Sequence, residues 1–387
     1  MKKIKISVLV LYLMLPQITF SQTLDFAGQV SSWTTVKDKS AEGLSGMAGF
    51  RYLPELSANY GLDTNANLDM EIVINAFTTF DFDSIEYTTD NGKIEPYRLW
   101  LRYSTSNFEA RLGLQRINFG PAKIIRSLMW FDRIDPRDPL QLAEGVNALL
   151  LRYYFMNNAN VWLWGLYGND ETKGWEAFPT EENTVESGGR AQYPIGTGEI
   201  AFTTHHRQLH TSKECNELCD CYFTFPEHRY ALDGQWDLGV GFWFEAVAVE
   251  IADLDVNVEF PCIEAKLNKW QKFFTLGADY TFSLGNGLHV MYEHFLGSGS
   301  EELFSFNRDA DFSGISLNYP FGLVDNFTGI VFYDWQNKDP YYYATWKRTY
   351  DSWIINVSTF MNPEISSILG ANTFGGKGVQ LMVVYNY

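Results

Sequence analysis

An export signal opens this chain, no later stretch is apolar enough for a membrane helix, and apolar and polar residues alternate with period two down to the last residue. Few folds satisfy all three. Lys2, Lys3 and Lys5 precede an apolar run from Ile6 to Leu15, and Thr19 and Ser21 occupy the minus-three and minus-one positions of a cleavage site before Gln22. Residues 1–21 therefore read as a secretory signal peptide and residues 22–387 as one exported domain, with no linker or composition shift to divide it. No cysteine follows the apolar run, so a lipid anchor is not expected. A membrane helix needs roughly 18 consecutive apolar residues, which residues 22–387 do not supply, so any crossing is made by strands.

The alternation is clearest where Leu68, Met70, Ile72 and Ile74 interleave with Asp69, Glu71 and Asn75. Farther on, Tyr97, Leu99, Leu101 and Tyr103 are expected to point outward and Arg98, Trp100 and Arg102 inward. A soluble sandwich alternates too, but aromatics make up 16% of the chain and recur along the strands, as barrel girdles require. Tight connections at Ser104–Asn107 and Asn157–Asn160 contrast with long loops between them, the pattern of outer-membrane barrels. Residues 341–361 make either one long strand or two strands turning near Arg348–Asp351. An even count favours two, giving an all-β, antiparallel transmembrane barrel of eighteen strands, with sixteen as the fallback. The last strand, Val379–Tyr387, ends on an aromatic, as substrates of the barrel-assembly machinery of Gram-negative cells commonly do. A net charge of -18 argues against nucleic acid as a partner; outer-membrane lipid and a small hydrophilic solute, an anion or a sugar, are the expected ones.

The segment from Gly113 to Tyr154 organises the rest. Two strands enclose a connection of about 25 residues, longer than the ~15 above which loops usually carry a function, and too apolar for water. Pro121 is placed to start a short helix with Ile124, Ile125, Leu128 and Met129 on one side, stopped by Asp135-Pro136 and Asp138-Pro139. Folded into the lumen, this loop would bring Asp132, Asp135, Asp138 and Glu144 opposite Arg98, Arg102, Arg111 and Arg152 on the strands, with Gln115 beside them. Opposed charges across a constriction make a transverse field, and guanidinium groups favour carboxylates and phosphates. The same charges also suffice to pin the loop to the wall. Trp100 and Tyr154 have the parity to stack on sugar rings, whereas Trp130, Trp162 and Trp164 suit girdle or packing roles.

Cys215, Cys219, Cys221 and Cys262 fall in two long loops, and an even count in an oxidising compartment is expected to form disulfides of undetermined pairing. Their spacing is not a standard zinc pattern, although His205, His206 and His210 lie close in sequence; no metal or other cofactor is assigned. A hydrolase would need an activated serine, a histidine and an orienting group. His289 and Glu293 share one strand face and His294 takes the other, but no Gly-x-Ser-x-Gly elbow is present, and no enzyme is expected.

Four features resemble uncharacterised porins related to alginate-export proteins: Asn118-Phe119-Gly120 after a strand carrying glycine, arginine and glutamine; Asp135-Pro136-Arg137-Asp138-Pro139; the Asp233-Gly234 strand followed by Trp243-Phe244-Glu245; and Arg348-Thr349-Tyr350-Asp351. They span most of the exported chain. The resemblance implies a monomeric-type outer-membrane barrel with an inward-folded loop and some solute selectivity. It does not imply alginate as cargo.

Overall fold

The computed structural model describes residues 22–39, 43–63, 65–83, 87–89, 92–132, 134–214, 220–252, 268–363 and 374–387. Its strands are β1 Gln22–Lys39, β2 Gly43–Asp63, β3 Ala66–Asp83, β4 Tyr87–Thr89, β5 Lys93–Thr105, β6 Phe108–Gln115, β7 Val146–Tyr154, β8 Asn160–Tyr167, β9 Val185–Ile195 and β10 Gly198–Glu214. They continue as β11 Asp220–Asp237, β12 Gly241–Ile251, β13 Trp270–Phe282, β14 Leu288–Ser300, β15 Ala310–Pro320, β16 Asp325–Asp334, β17 Asp339–Tyr350, β18 Trp353–Met361 and β19 Lys377–Asn386. Each pairs antiparallel with its sequence neighbours, except that the three-residue β4 pairs only with β3, which also pairs directly with β5. Setting β4 aside, eighteen strands form the wall, the predicted number.

Closure is made by β1, which pairs with β2 on one side and with β19 on the other, Gln29 opposite Asn386 and Asp38 opposite Lys377. At the seam Gly28 and Tyr387 exchange backbone hydrogen bonds of 3.1 Å in both directions. Among the described residues every wall strand thus has a hydrogen-bonded neighbour on both sides, which is what a sheet in hydrocarbon requires. The outward face is apolar, with Leu99, Leu112, Leu163 and Phe202 each more than half exposed; on the same strands Arg98, Glu109, Trp164 and Thr203 face inward and are buried. This apolar jacket on a closed sheet makes the chain an outer-membrane barrel.

Tyr97 departs from the expected parity. Val73 pairs with Arg98 and Ile74 with Pro96, so Tyr97 is an extra residue in a bulge. Its hydroxyl accepts a hydrogen bond from the Ala143 N–H at 3.2 Å, placing the ring on the inner side together with Arg98.

Candidate functional site

The described residues of the segment after β6, residues 116–145, form no helix. The helix expected from Pro121 does not form because its backbone N–H groups are claimed from outside. Glu293 of β14 accepts the N–H of Lys123 at 2.6 Å, Ile124 at 2.8 Å and Ile125 at 2.6 Å, together with the Trp243 indole at 3.0 Å. Glu245 of β12 accepts the N–H of Ala122 at 3.0 Å and of Leu128 at 2.8 Å. Between them, Thr275 of β13 donates to the Ile125 carbonyl at 2.9 Å and bonds Ser127 Oγ at 2.7 Å. These three strands stand six to eight places round the ring from β6. Gly120, at φ +92°, lets the chain pass so close to Glu245 that a side chain there would meet the carboxylate.

From Pro121 to Asp132 only Lys123 is exposed. Phe119, Trp130 and Phe131 pack with Trp164 and His205, while Ile124 and Ile125 join Phe295, Phe312 and Phe332. The segment thus joins two separate walls through two apolar clusters.

A second connection, residues 168–184, lies against the first. Trp175 donates its backbone N–H to Met129 O at 3.2 Å and its indole N–H to Arg126 O at 2.6 Å, and stacks on Phe295 at 5.9 Å. Glu176 beside it meets Arg229 at 2.7 Å and Arg207 at 3.1 Å, and Glu227 bonds both arginines at 2.7 Å. Lys173 reaches Glu186 at 3.0 Å, which is also 3.1 Å from His205. All seven side chains are essentially buried, so each charge depends on its partners.

The predicted arginines and acids whose ion pairs are described find their partners within two separate sets. Arg102 pairs with Asp69 at 2.9 Å, and Glu109 takes both Arg111 at 3.0 Å and Arg152 at 3.6 Å, all within the wall of β3 to β7. Arg111 stacks over Trp100 at 4.6 Å and Arg152 over Trp162 at 3.9 Å, leaving these three guanidinium groups partly exposed to the interior. Arg98 is buried and donates to the Ala143 carbonyl at 2.7 Å. Gln115 is also buried, donating to the Ala148 carbonyl at 2.9 Å. The acids of the segment pair locally: Asp132 with Arg126 at 3.0 Å and Asp135 with Arg137 at 2.8 Å, while Glu144 is exposed. Burial pushes the Asp138 carboxyl up from its ordinary value, against the N–H of Leu140 and the charge of Arg51. Tyr154 sits partly exposed at the tight-turn end of β7.

Carboxylates facing open space come instead from strands. A recess of about 820 Å³ is lined by Lys123, Glu199, Gln235, Asp237 and Asp279. A second, of about 520 Å³, lies between Pro136–Gln141 and the inner faces of β15 to β18, where Asn318, Asn326, Thr328 and Lys347 line it.

No protein-family model matches the chain, and no curated protein matches it in sequence. Solved structures do. OccAB1 of Acinetobacter baumannii aligns with a TM-score of 0.58 at 10% identity over 95% of this chain and 96% of that one. OmpT of Vibrio cholerae, in its trimer form, gives 0.50 at 11% identity over 95% and 99%. OmpF of Salmonella typhi, solved with daunomycin, gives 0.50 at 11% identity over 94% and 97%. The barrel has the porin fold. Within the porin fold, the narrower likeness to alginate-export relatives rests on the sequence motifs alone.

Sequence reasoning missed Glu176, Arg207 and Glu227, and met Glu245 only within a motif and Glu293 only as a strand-face neighbour of His289. Cys215, Cys219 and Cys262 lie outside the described residues; the backbone of Cys221 in β11 pairs with Lys213 of β10, and the Cys221 side chain is likewise outside them. Among the described residues no three His, Cys, Asp or Glu side chains gather into a metal-ligating set.

Proposed function

We propose that this porin-fold barrel is a passive outer-membrane channel for small hydrophilic solutes, with a preference for anions. The observation that carries the reading is the row of partly exposed guanidinium groups, Arg102, Arg111 and Arg152, on one inner wall. A carboxylate or phosphate meets bidentate donors there, and Trp100 and Trp162 offer faces to an apolar or sugar ring beside them. The acids lining the larger recess supply the opposite pole of a transverse field. No cofactor or energy input enters, and delivery to the membrane runs through barrel-assembly machinery acting on β19.

Reconstitution in a planar bilayer under a salt gradient tests this. Steady conductance with a reversal potential on the anion side is expected, and Arg111→Ala with Arg152→Ala should move that potential toward zero. An unchanged potential in the double variant removes the arginines from selectivity. The second reading, a closed barrel serving as a surface structural or accessory protein, is favoured by the burial of residues 121–132 against two walls. Electrical silence from correctly folded protein selects it over the channel.

A further inference from the structure

The outer wall carries a pair of histidines that the channel does not use. His206 of β10 and His228 of β11 stand directly opposite each other in the ladder. Their Nδ1 atoms are 3.2 Å apart, their ring centroids 4.6 Å apart, and their planes inclined at 27°. Both belong to the outward parity, two ladder positions beyond the exposed Tyr230 and four beyond the exposed Phe202 and Leu232 on the long-loop side, where the apolar band gives way to polar residues. In the next ladder His228 faces Glu250, which has Lys269 only at 3.9 Å.

Two nitrogens this close are bridged either by one hydrogen-bonding proton or by one cation. A straight N–H···N bond puts each ring centre behind its nitrogen on the bond axis. Here the centroids are only 4.6 Å apart for nitrogens 3.2 Å apart, so the rings lean over one another and the bond is bent. Two imidazole nitrogens bound at ~2.0–2.1 Å to a tetrahedral zinc ion stand about 3.3 Å apart, close to the spacing of 3.2 Å found here.

We propose that His206 and His228 chelate a divalent transition-metal ion, copper(II) or zinc(II), at the outer rim of the barrel, with water in the remaining positions. Imidazole selects these metals over calcium and magnesium, and copper(II) is held most tightly. The proposal is independent of the channel reading.

The test uses untagged, folded barrel in detergent with Cys215→Ser, Cys219→Ser, Cys221→Ser and Cys262→Ser, so that no thiol competes, and copper(II) as the probe. One equivalent should bind and show the nitrogen hyperfine pattern of two imidazoles in electron paramagnetic resonance. His206→Ala and His228→Ala should each weaken binding by more than the ~10–100-fold that loss of a merely supporting contact costs, while His294→Ala, another outward imidazole, leaves it unchanged. Copper retained in both variants, or none bound by the parent, overturns the site. If the serine-substituted chain does not fold, zinc per chain is measured by dialysis on the natural chain and the two histidine variants. Loss of one equivalent in each variant supports the site, and equal zinc in all three overturns it.

Discussion

Glu293→Gln isolates the tether of the lumen segment. In the native barrel Oε1 takes the N–H of Lys123 and the indole of Trp243, and Oε2 takes the N–H of Ile124 and Ile125. Glutamine keeps the shape but offers one acceptor; its amide nitrogen must face two N–H groups that it cannot accept. Two hydrogen bonds to a charged acceptor, worth about 1.5–3 kcal/mol each, are lost, or about 3–6 kcal/mol. Glu245, Thr275 and both apolar clusters remain, so the barrel stays folded and the change falls on the equilibrium between seated and displaced segment. At a factor of ten per ~1.4 kcal/mol, the displaced population rises roughly a hundred- to ten-thousand-fold. Single-channel recording in planar bilayers reads this as a new or longer-lived high-conductance level, whether the native barrel conducts steadily or is silent. Current histograms identical to those of the native protein would refute the idea that Glu293 holds the segment.

Two further outcomes follow from the same interior. Arg207→Met leaves Glu176 and Glu227 with Arg229 as their shared cation; breaking a buried pair on one side costs about 3–5 kcal/mol, so the temperature at which the barrel loses its compact electrophoretic mobility should fall, and an unchanged transition would show the network to be dispensable. Asp138 titrates in the opposite sense to a salt-bridged acid. Because burial raises its folded value above the ordinary 3.8, the seated segment binds the proton more tightly than the displaced one. Seating therefore strengthens as pH falls through the window between 3.8 and the raised value, and weakens as pH rises through it. Conductance should drop on acidification across that window, and Asp138→Asn should abolish the drop; a variant with the native pH profile removes Asp138 from the response.

The wall was largely legible because alternation reports directly on which face meets lipid. Leu99, Leu101 and Tyr103 are outward as their spacing predicts, and the two strands resolved from residues 341–361 settle the count at eighteen. Legibility fails where the physical cause of alternation is absent. Tyr97 breaks the period because a bulge against Val73 and Ile74 inserts one residue. β10 runs on to Glu214, well past its expected end near His206, because beyond His206 the outward positions Gln208 and His210 are polar and the inward Arg207 is charged, so the apolar alternation that marks a strand is lost.

The site was legible in its parts and not in its pairings. Charges on neighbouring strands or within a few residues reach each other first, so Arg102 and Arg111 find Asp69 and Glu109, and Asp132 and Asp135 find Arg126 and Arg137. The contacts that fix the segment join residues 117 to 170 positions apart, and an apolar period alone does not distinguish a helix from a strap whose N–H groups are satisfied elsewhere. One local signal was available. Glu245 lies between Trp243 and Val247 on its inward face, and Glu293 between Met291 and Phe295. An inward carboxylate with no cation on its own strand must find donors from another element, or stay neutral; Glu227, beside Arg229, has its cation at hand. A long run of backbone donors near the middle of such a barrel is supplied by a loop that has given up its helix, so a lone inward glutamate and a non-helical apolar loop specify each other.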